Sequence, residues 1–167
     1  MTVRPATVED IPVIRSIAHA TWPVAYVPSI LDVPQLDYML ELLYSEHALN
    51  EAMTKKDQRF VMLNDGERDI AFAGYTLHYH GSRITHLNKL YVLPGLQGTG
   101  AGKELVELVL EKARASGDEA VELNVNKRNV AIKFYQRMGF RILREEVIDI
   151  GQGYVMDDYV MSLPLRN

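Results

Sequence analysis

The stretch "LQGTGAGKEL", residues 96–105, decides how this chain is read. Gly98, Gly100 and Gly102 alternate with other residues, Lys103 follows at once, and leucines stand at both ends. "SRITHLNKLYVL" before it reads as a central, partly buried strand, and "GKELVELVLEKARASG" after it reads as a helix. Leu105, Leu108, Val109 and Ala113 fall on one face of that helix, and Gly117 is its stop. Successive backbone N–H groups at a helix N-terminus make a nest for an anion, and glycines let a pyrophosphate approach the main chain.

Spacing excludes two common phosphate loops. A Walker A loop needs G-x-x-x-x-G-K-[ST], but Gln97 stands at its first glycine and Glu104 where a hydroxyl would hold magnesium. The dinucleotide fingerprint G-x-G-x-x-G also fails, because its last position is Lys103 when counted from Gly98 and Leu105 when counted from Gly100. That fingerprint also belongs after the first strand of a parallel sheet, whereas this loop lies past mid-chain. What remains is Q-x-x-G-x-G, Gln97 to Gly102. Without the Walker lysine–hydroxyl pair, a pyrophosphate here is held rather than cleaved, as the handle of a carrier molecule.

Outward from the loop, the pattern alternates between periods. "TVRPAT" predicts a first strand, and "VEDIPVIRSIAHATW" a helix with Glu9 and Asp10 in its first turn. Pro23 and Pro28 break that period, so "WPVAYVPSILDVP" is expected as an aromatic loop. "QLDYMLELLYS" and "SEHALNEAMTK" predict two more helices. "QRFVMLN", the turn "DGERD" and "IAFAGYTLHYH" predict a hairpin. "EAVELNV" reads as a strand, "NVAIKFYQRMG" as a helix ending at Gly139, and "FRILREEVIDIG" with "GYVMDDYVMSL" as a hairpin turned on "GQG". The order gives a mixed α/β fold in one domain.

Composition narrows the function classes. The chain has 167 residues and a net charge of −4, with 47% hydrophobic and 24% charged residues. A mildly acidic chain argues against nucleic-acid and anionic-membrane partners, which call for a basic surface. With no cysteine, thiolate catalysis and Cys-ligated zinc are excluded. "MTVRPATVED" lacks the apolar core of a signal peptide, and no run approaches the roughly 20 apolar residues of a membrane helix, so a cytoplasmic protein is expected.

With these motifs in place, the chain resembles the GCN5-related N-acetyltransferase (GNAT) family. "LNKLYVLPGLQGTGAGKEL" is similar to the family's acetyl-CoA motif and "LNVNKRNVAIKFYQRMGF" to its second block, together covering residues 87–140. The flanking elements follow in the family's order, which extends the resemblance to the whole chain. It implies a single-domain fold over residues 1–167, with a mixed, mostly antiparallel central sheet flanked by helices.

The resemblance implies acetyl-CoA as cofactor and gives roles to named residues. The strand before the loop splays from its neighbour, so Leu90, Tyr91 and Val92 lie beside the pantetheine arm, and the Val92 N–H polarises the thioester carbonyl. Gln97, Gly98, Thr99, Gly100, Ala101, Gly102 and Lys103 carry over as the pyrophosphate loop, with Lys103 alternatively a solvated helix residue. Tyr135, in "FYQRMGF", matches the phenol that protonates the leaving thiolate; the alternative is a core aromatic, as for Phe134. Asn129 matches a cofactor-contacting asparagine and is equally a helix cap, with Asn126, and behind it Asn124, as further contacts.

His86 falls where several family members place a catalytic glutamate, and period-two alternation puts His86, Asn88 and Leu90 on one strand face. A surface or core histidine, or a water relay to another carboxylate, are the alternatives. His78 and His80 alternate on a predicted strand, but two ligands without a third make no metal site. His19 and His47 lie in helical stretches without a role. On the acceptor side, Trp22 and Tyr26 lie in the segment that roofs the family's cleft, and Asp157 and Asp158 can attract a cationic amine. Core aromatics and a solvated strand are the plainer readings.

"TWPVAY" and "MDDYVM" resemble a branch that includes polyamine-acetylating members. The expectation is acetyl transfer to a small-molecule primary amine by direct attack in a ternary complex. A protein N-terminal or lysine acetyltransferase is the alternative within the class, and a non-catalytic acyl-CoA-binding module the alternative outside it. A homodimer is compatible with all three.

Overall fold

The computed structural model describes residues 1–166. A seven-stranded sheet runs in the order β1-β2-β3-β4-β5-β7-β6, formed by β1 (Thr2–Pro5), β2 (Arg59–Asn64), β3 (Asp69–Thr76), β4 (Ile84–Val92), β5 (Ala120–Asn126), β6 (Arg141–Gly151) and β7 (Tyr154–Pro164). Every neighbouring pair is antiparallel except β4 and β5, which are parallel and joined through α4 (Ala101–Ser116). The mixed, mostly antiparallel sheet is the one expected.

Each face buries its own core. On one side, α4 sets Leu105, Val106, Val109 and Ala113 against Leu87, Val121, Leu123 and Met161, and α5 (Ala131–Met138) adds Tyr135 beside Phe140. On the other, α1 (Ile11–Tyr26), α2 (Val33–Tyr44) and α3 (Glu46–Thr54) pack Ile14, Ile17, Leu40, Tyr44 and Leu49 on Phe60, Met62 and Phe72. Such clusters of fully buried apolar side chains are the main stabilising term, about 1.5–3 kcal/mol per large side chain. Among the described residues, no helix is long and apolar enough to cross a membrane.

Three local expectations give way. The aromatic loop after Trp22 is helix: α1 continues through Pro23 to Tyr26, and the Val27 N–H closes it on the Pro23 carbonyl at 3.2 Å. Proline removes the donor for the His19 carbonyl, but His19 is exposed and its carbonyl can be solvated. The extra turn packs Tyr26 against Trp22 with ring centroids 4.7 Å apart and planes tilted by 58°, and that packing offsets the missing bond.

His78 and His80 do not share a strand face, because β3 ends at Thr76 and the chain enters a 3-10 turn with both at positive φ. The His78 imidazole instead meets Asp118, whose buried carboxylate also takes the Thr85 hydroxyl.

Finally, His86, Asn88 and Leu90 do not share one face of β4. The register slips between Tyr75↔Leu87 and Gly74↔Lys89, leaving Asn88 as the extra residue of a β-bulge. Beyond it the alternation is inverted. Leu87 and Leu90 both pack toward α4, while His86, Lys89 and Tyr91 face α1–α3.

Candidate active site

The parallel β4–β5 ladder is short: it pairs Ile84 to Leu87 with Ala120 to Leu123 and then stops. β4 continues on β3 as far as Val92, and β5 continues on β7 as far as Asn126, so the facing edges diverge. Leu93 donates to the Ile70 carbonyl at 2.9 Å, and antiparallel alternation then turns the Leu90 and Val92 backbone groups toward the gap. A cleft of about 1530 Å³ runs through this wedge from the glycine loop to the α1–α3 face.

At one end lies the loop. Gly98 and Gly100 have φ of +86° and +90°, and a Cβ on either would meet nothing within 4 Å, so glycine is there for its backbone conformation. Gly102 differs: a Cβ would sit 3.3 Å from Phe134 Cζ, so its lack of a side chain lets α4 lie close to α5.

Gln97 braces the loop from within, donating to the Val92 carbonyl at 3.1 Å and accepting from the Gly95 N–H at 3.0 Å. The Thr99 hydroxyl bonds the Leu96 carbonyl at 2.7 Å, and Ala101 is buried; neither lines the cleft. Lys103 lines it with a 64% exposed side chain near Glu107. The open N-terminus of α4, three glycines at positive φ (Gly95, Gly98, Gly100) and the unpaired edge of β4 suit a diphosphate joined to an amide-bearing arm.

Tyr135 lines the middle of the cleft, 8% exposed and packed against Phe134 and Phe140. Burial, and then nearby Tyr26, push its phenol well above the ordinary range, so it holds its proton. Tyr26 and Tyr91 share a hydrogen bond of 2.9 Å, and the Asn129 amide donates to Tyr26 at 3.4 Å. Asn129 also caps: its side-chain oxygen takes the Ala131 N–H at 2.8 Å. Asn126 similarly accepts from Arg128 N–H at 2.9 Å while lining the cleft. Trp22 is buried beside Tyr26, and its indole N–H, near Tyr44, finds no acceptor of hydrogen-bonding geometry among the described residues.

His86 is held on both nitrogens. Its Nε2 donates to the Asn124 side-chain oxygen at 3.2 Å, and its Nδ1 accepts from the Asn88 amide at 3.0 Å. Burial lowers its pKa, and two amide partners suit the neutral ring. The Asn124 amide then donates to Glu146 at 3.1 Å and to Asp158 at 3.4 Å. Asp158 is 1% exposed, and burial raises its carboxyl to about 6, with Glu146 and Asp157 adding to the rise. Asp157 is not in the cleft. It points to the opposite face of β7 and pairs with Lys127 at 2.9 Å, since neighbouring strand residues alternate.

Sequence reasoning passed over Glu146 and Lys89. Glu146 lies opposite Asp158 in the β6–β7 register. Lys89 lines the cleft at the β3 side. A lone lysine within the apolar run "NKLYV" was the available signal for the latter. Among the described residues no cluster of three or more His, Cys, Asp or Glu could hold a metal.

Comparison with known proteins agrees with this geometry. A family model for the acetyltransferase (GNAT) domain matches residues 37–157. An uncharacterised N-acetyltransferase of Mycobacterium tuberculosis is 32% identical over 150 residues, covering 89% of this chain and 93% of that protein. A peptidyl-lysine N-acetyltransferase of Salmonella typhimurium, YjaB, is 39% identical over 71 residues, 41% of this chain and 46% of its own. Among solved structures, the PaiA N-acetyltransferase of Thermoplasma acidophilum in complex with coenzyme A superposes with a TM-score of 0.80 at 20% identity, covering 98% of this chain and 99% of that one. The chain therefore belongs to the GNAT family of N-acetyltransferases, with acetyl-CoA as its acetyl donor.

Proposed function

We propose that this enzyme acetylates a small-molecule primary amine, with the donor's diphosphate on the Gln97–Lys103 backbone and its arm along the free edge of β4. The observation that carries this reading is the end of β4–β5 pairing at Leu87–Leu123, which leaves the Leu90 and Val92 N–H groups facing the cleft. When bound, acetyl-CoA supplies the thioester carbonyl that the amine attacks. The Val92 N–H, facing the cleft, would polarise that carbonyl. Tyr135 keeps its proton at neutral pH and can deliver it to the departing sulfur.

The amine must shed a proton, since an alkyl ammonium has a pKa near ~10.4. His86 was the expected acceptor, but its Nδ1 lone pair is occupied by Asn88. We assign the role to Asp158 next to Glu146, with His86 orienting the Asn124 amide toward both carboxylates. A carboxyl poised at about 6 is mostly ionised at neutral pH and more basic than an exposed aspartate.

A clasp beside the cleft supports a small amine over a peptide, because it ties α2 to the β6–β7 hairpin next to Leu42, Leu43, Ile148 and Met156, which line the cleft. The Tyr38 hydroxyl of α2 donates to the Ile150 carbonyl of β6, and its ring lies 5.5 Å from Tyr154. Gly151 lets this clasp close, because a Cβ there would lie 2.9 Å from the Tyr38 oxygen. The deciding experiment is a thiol-release assay with acetyl-CoA across polyamines, amino acids, aminoglycosides and peptides. Turnover of a small amine is expected; turnover of peptides alone would replace this reading with the peptidyl-lysine activity named for YjaB.

A further inference from the structure

We infer that the acceptor carries an anionic group, a carboxylate or phosphonate, besides its amine, and that Lys89 receives that group at the β3 side of the cleft. This rests on the acceptor-site reading above and specifies its substrate class.

The bulge at Asn88 turns Lys89 away from α4 and into the cleft. There its Nζ lies between two aromatic rings, 5.7 Å from the centre of Tyr44 and 5.5 Å from that of Phe60. Among the described residues its one hydrogen-bond partner is the Gln58 side-chain oxygen at 2.7 Å. Gly74, opposite Lys89 in the register, makes room for that oxygen, since a Cβ would lie 3.0 Å from it. An ammonium has three donors, so this arrangement leaves donor capacity for a further acceptor.

Among the described residues, no carboxylate pairs with Lys89 or with Lys56, which lines the same end of the cleft. Burial, and then the charge of Lys56, bring the Lys89 pKa down to about 8. A half-buried cation without a counter-ion is disfavoured, and a methionine of similar length would fill the space more cheaply if packing were its whole purpose. An incoming anion would remove that cost.

The two sides of the cleft therefore differ in sign. Asp158, Glu146 and Asn124 stand toward β5–β7, and Lys89 and Lys56 toward β3. A zwitterionic amine can match both. A diamine would bring its second ammonium toward Lys89, like charge against like. With Asp157 turned to the opposite face, the acidic pull expected for a polyamine also loses one of its two residues.

The test compares kcat/KM of the full-length enzyme for glycine, β-alanine, γ-aminobutyrate and aminomethylphosphonate with propylamine and putrescine. At least one anion-bearing amine should exceed the plain amines by about tenfold, mostly through KM, and the carboxylate and phosphonate arms identify the anion. In Lys89→Met the preference should shrink to about twofold, with coenzyme A binding by calorimetry as the check on folding. Equal efficiency for plain and anionic amines, a preference for putrescine, or turnover of peptides alone overturns the inference on wild-type protein, whatever the variant does. No heat with coenzyme A would instead defeat the acetyl-transfer reading beneath it.

Discussion

The His86 imidazole reaches Asp158 only through Asn124: Nε2 donates to the Asn124 oxygen at 3.2 Å, and the amide of the same side chain points to the carboxylate at 3.4 Å. On the proposed mechanism His86 is a positioning residue. His86→Ala should lower kcat/KM about tenfold, and His86→Gln, which can still donate to Asn124, should recover most of it. A general base would cost about 10²-fold or more in either variant. Steady-state kinetics of the pair separate the two roles.

Asp158 should set the acid limb of the pH profile. The kcat/KM is expected to rise with pH through about 6 and to lose that limb in Asp158→Asn, together with about 10²-fold or more of activity. Retention of the limb in Asp158→Asn would return the base role to His86.

The same carboxyl makes a stability prediction of definite sign. Its folded pKa of about 6 lies above the ordinary 3.8, so the native state binds the proton more tightly than the unfolded chain. Stability from this group is therefore full below about 4 and is lost as pH rises through about 6. Asp158→Asn should raise stability at neutral pH by about 1–2 kcal/mol, after allowance for solvent in the cleft, or a few degrees in Tm. Thermal melts at both ends of that window provide the check.

Tyr135→Phe removes one oxygen from a side chain otherwise fixed by Phe134 and Phe140. Turnover should fall about 10²-fold, while calorimetric affinity for coenzyme A stays within about twofold. Unchanged turnover would take the phenol out of the chemistry.

Gly100→Ala tests the loop. The space is open but φ is +90°, so alanine costs about 1 kcal/mol or more and displaces the amides that open α4. Coenzyme A affinity should drop more than thermal stability does. The reverse ranking would mean that the loop serves only as a helix start.

The glycine loop, α4, α5 and the strand order around them were legible because their signals are local: alternating glycines, a helical apolar face, and stops at Gly117 and Gly139. The acceptor side was less so. Nothing in "TWPVAY" says that packing against Trp22 will carry a helix past Pro23. Asn88 looks like any strand residue, yet as a bulge it reverses the facing of everything after it, which took Leu90 away from His86 and brought Lys89 in. Glu146 and Asp158 meet only through a hairpin register, which a linear pattern does not specify.

The early end of the β4–β5 ladder has a consequence for the ligand-free enzyme. Its central sheet carries two raw edges side by side, and hydrogen exchange should find the Leu90 and Val92 amides quick to trade with solvent, although strands on either side protect their neighbours. In the proposed binding mode the donor is a removable rung, and adding coenzyme A should slow those two amides before any others and knit the halves of the molecule into a single melting unit.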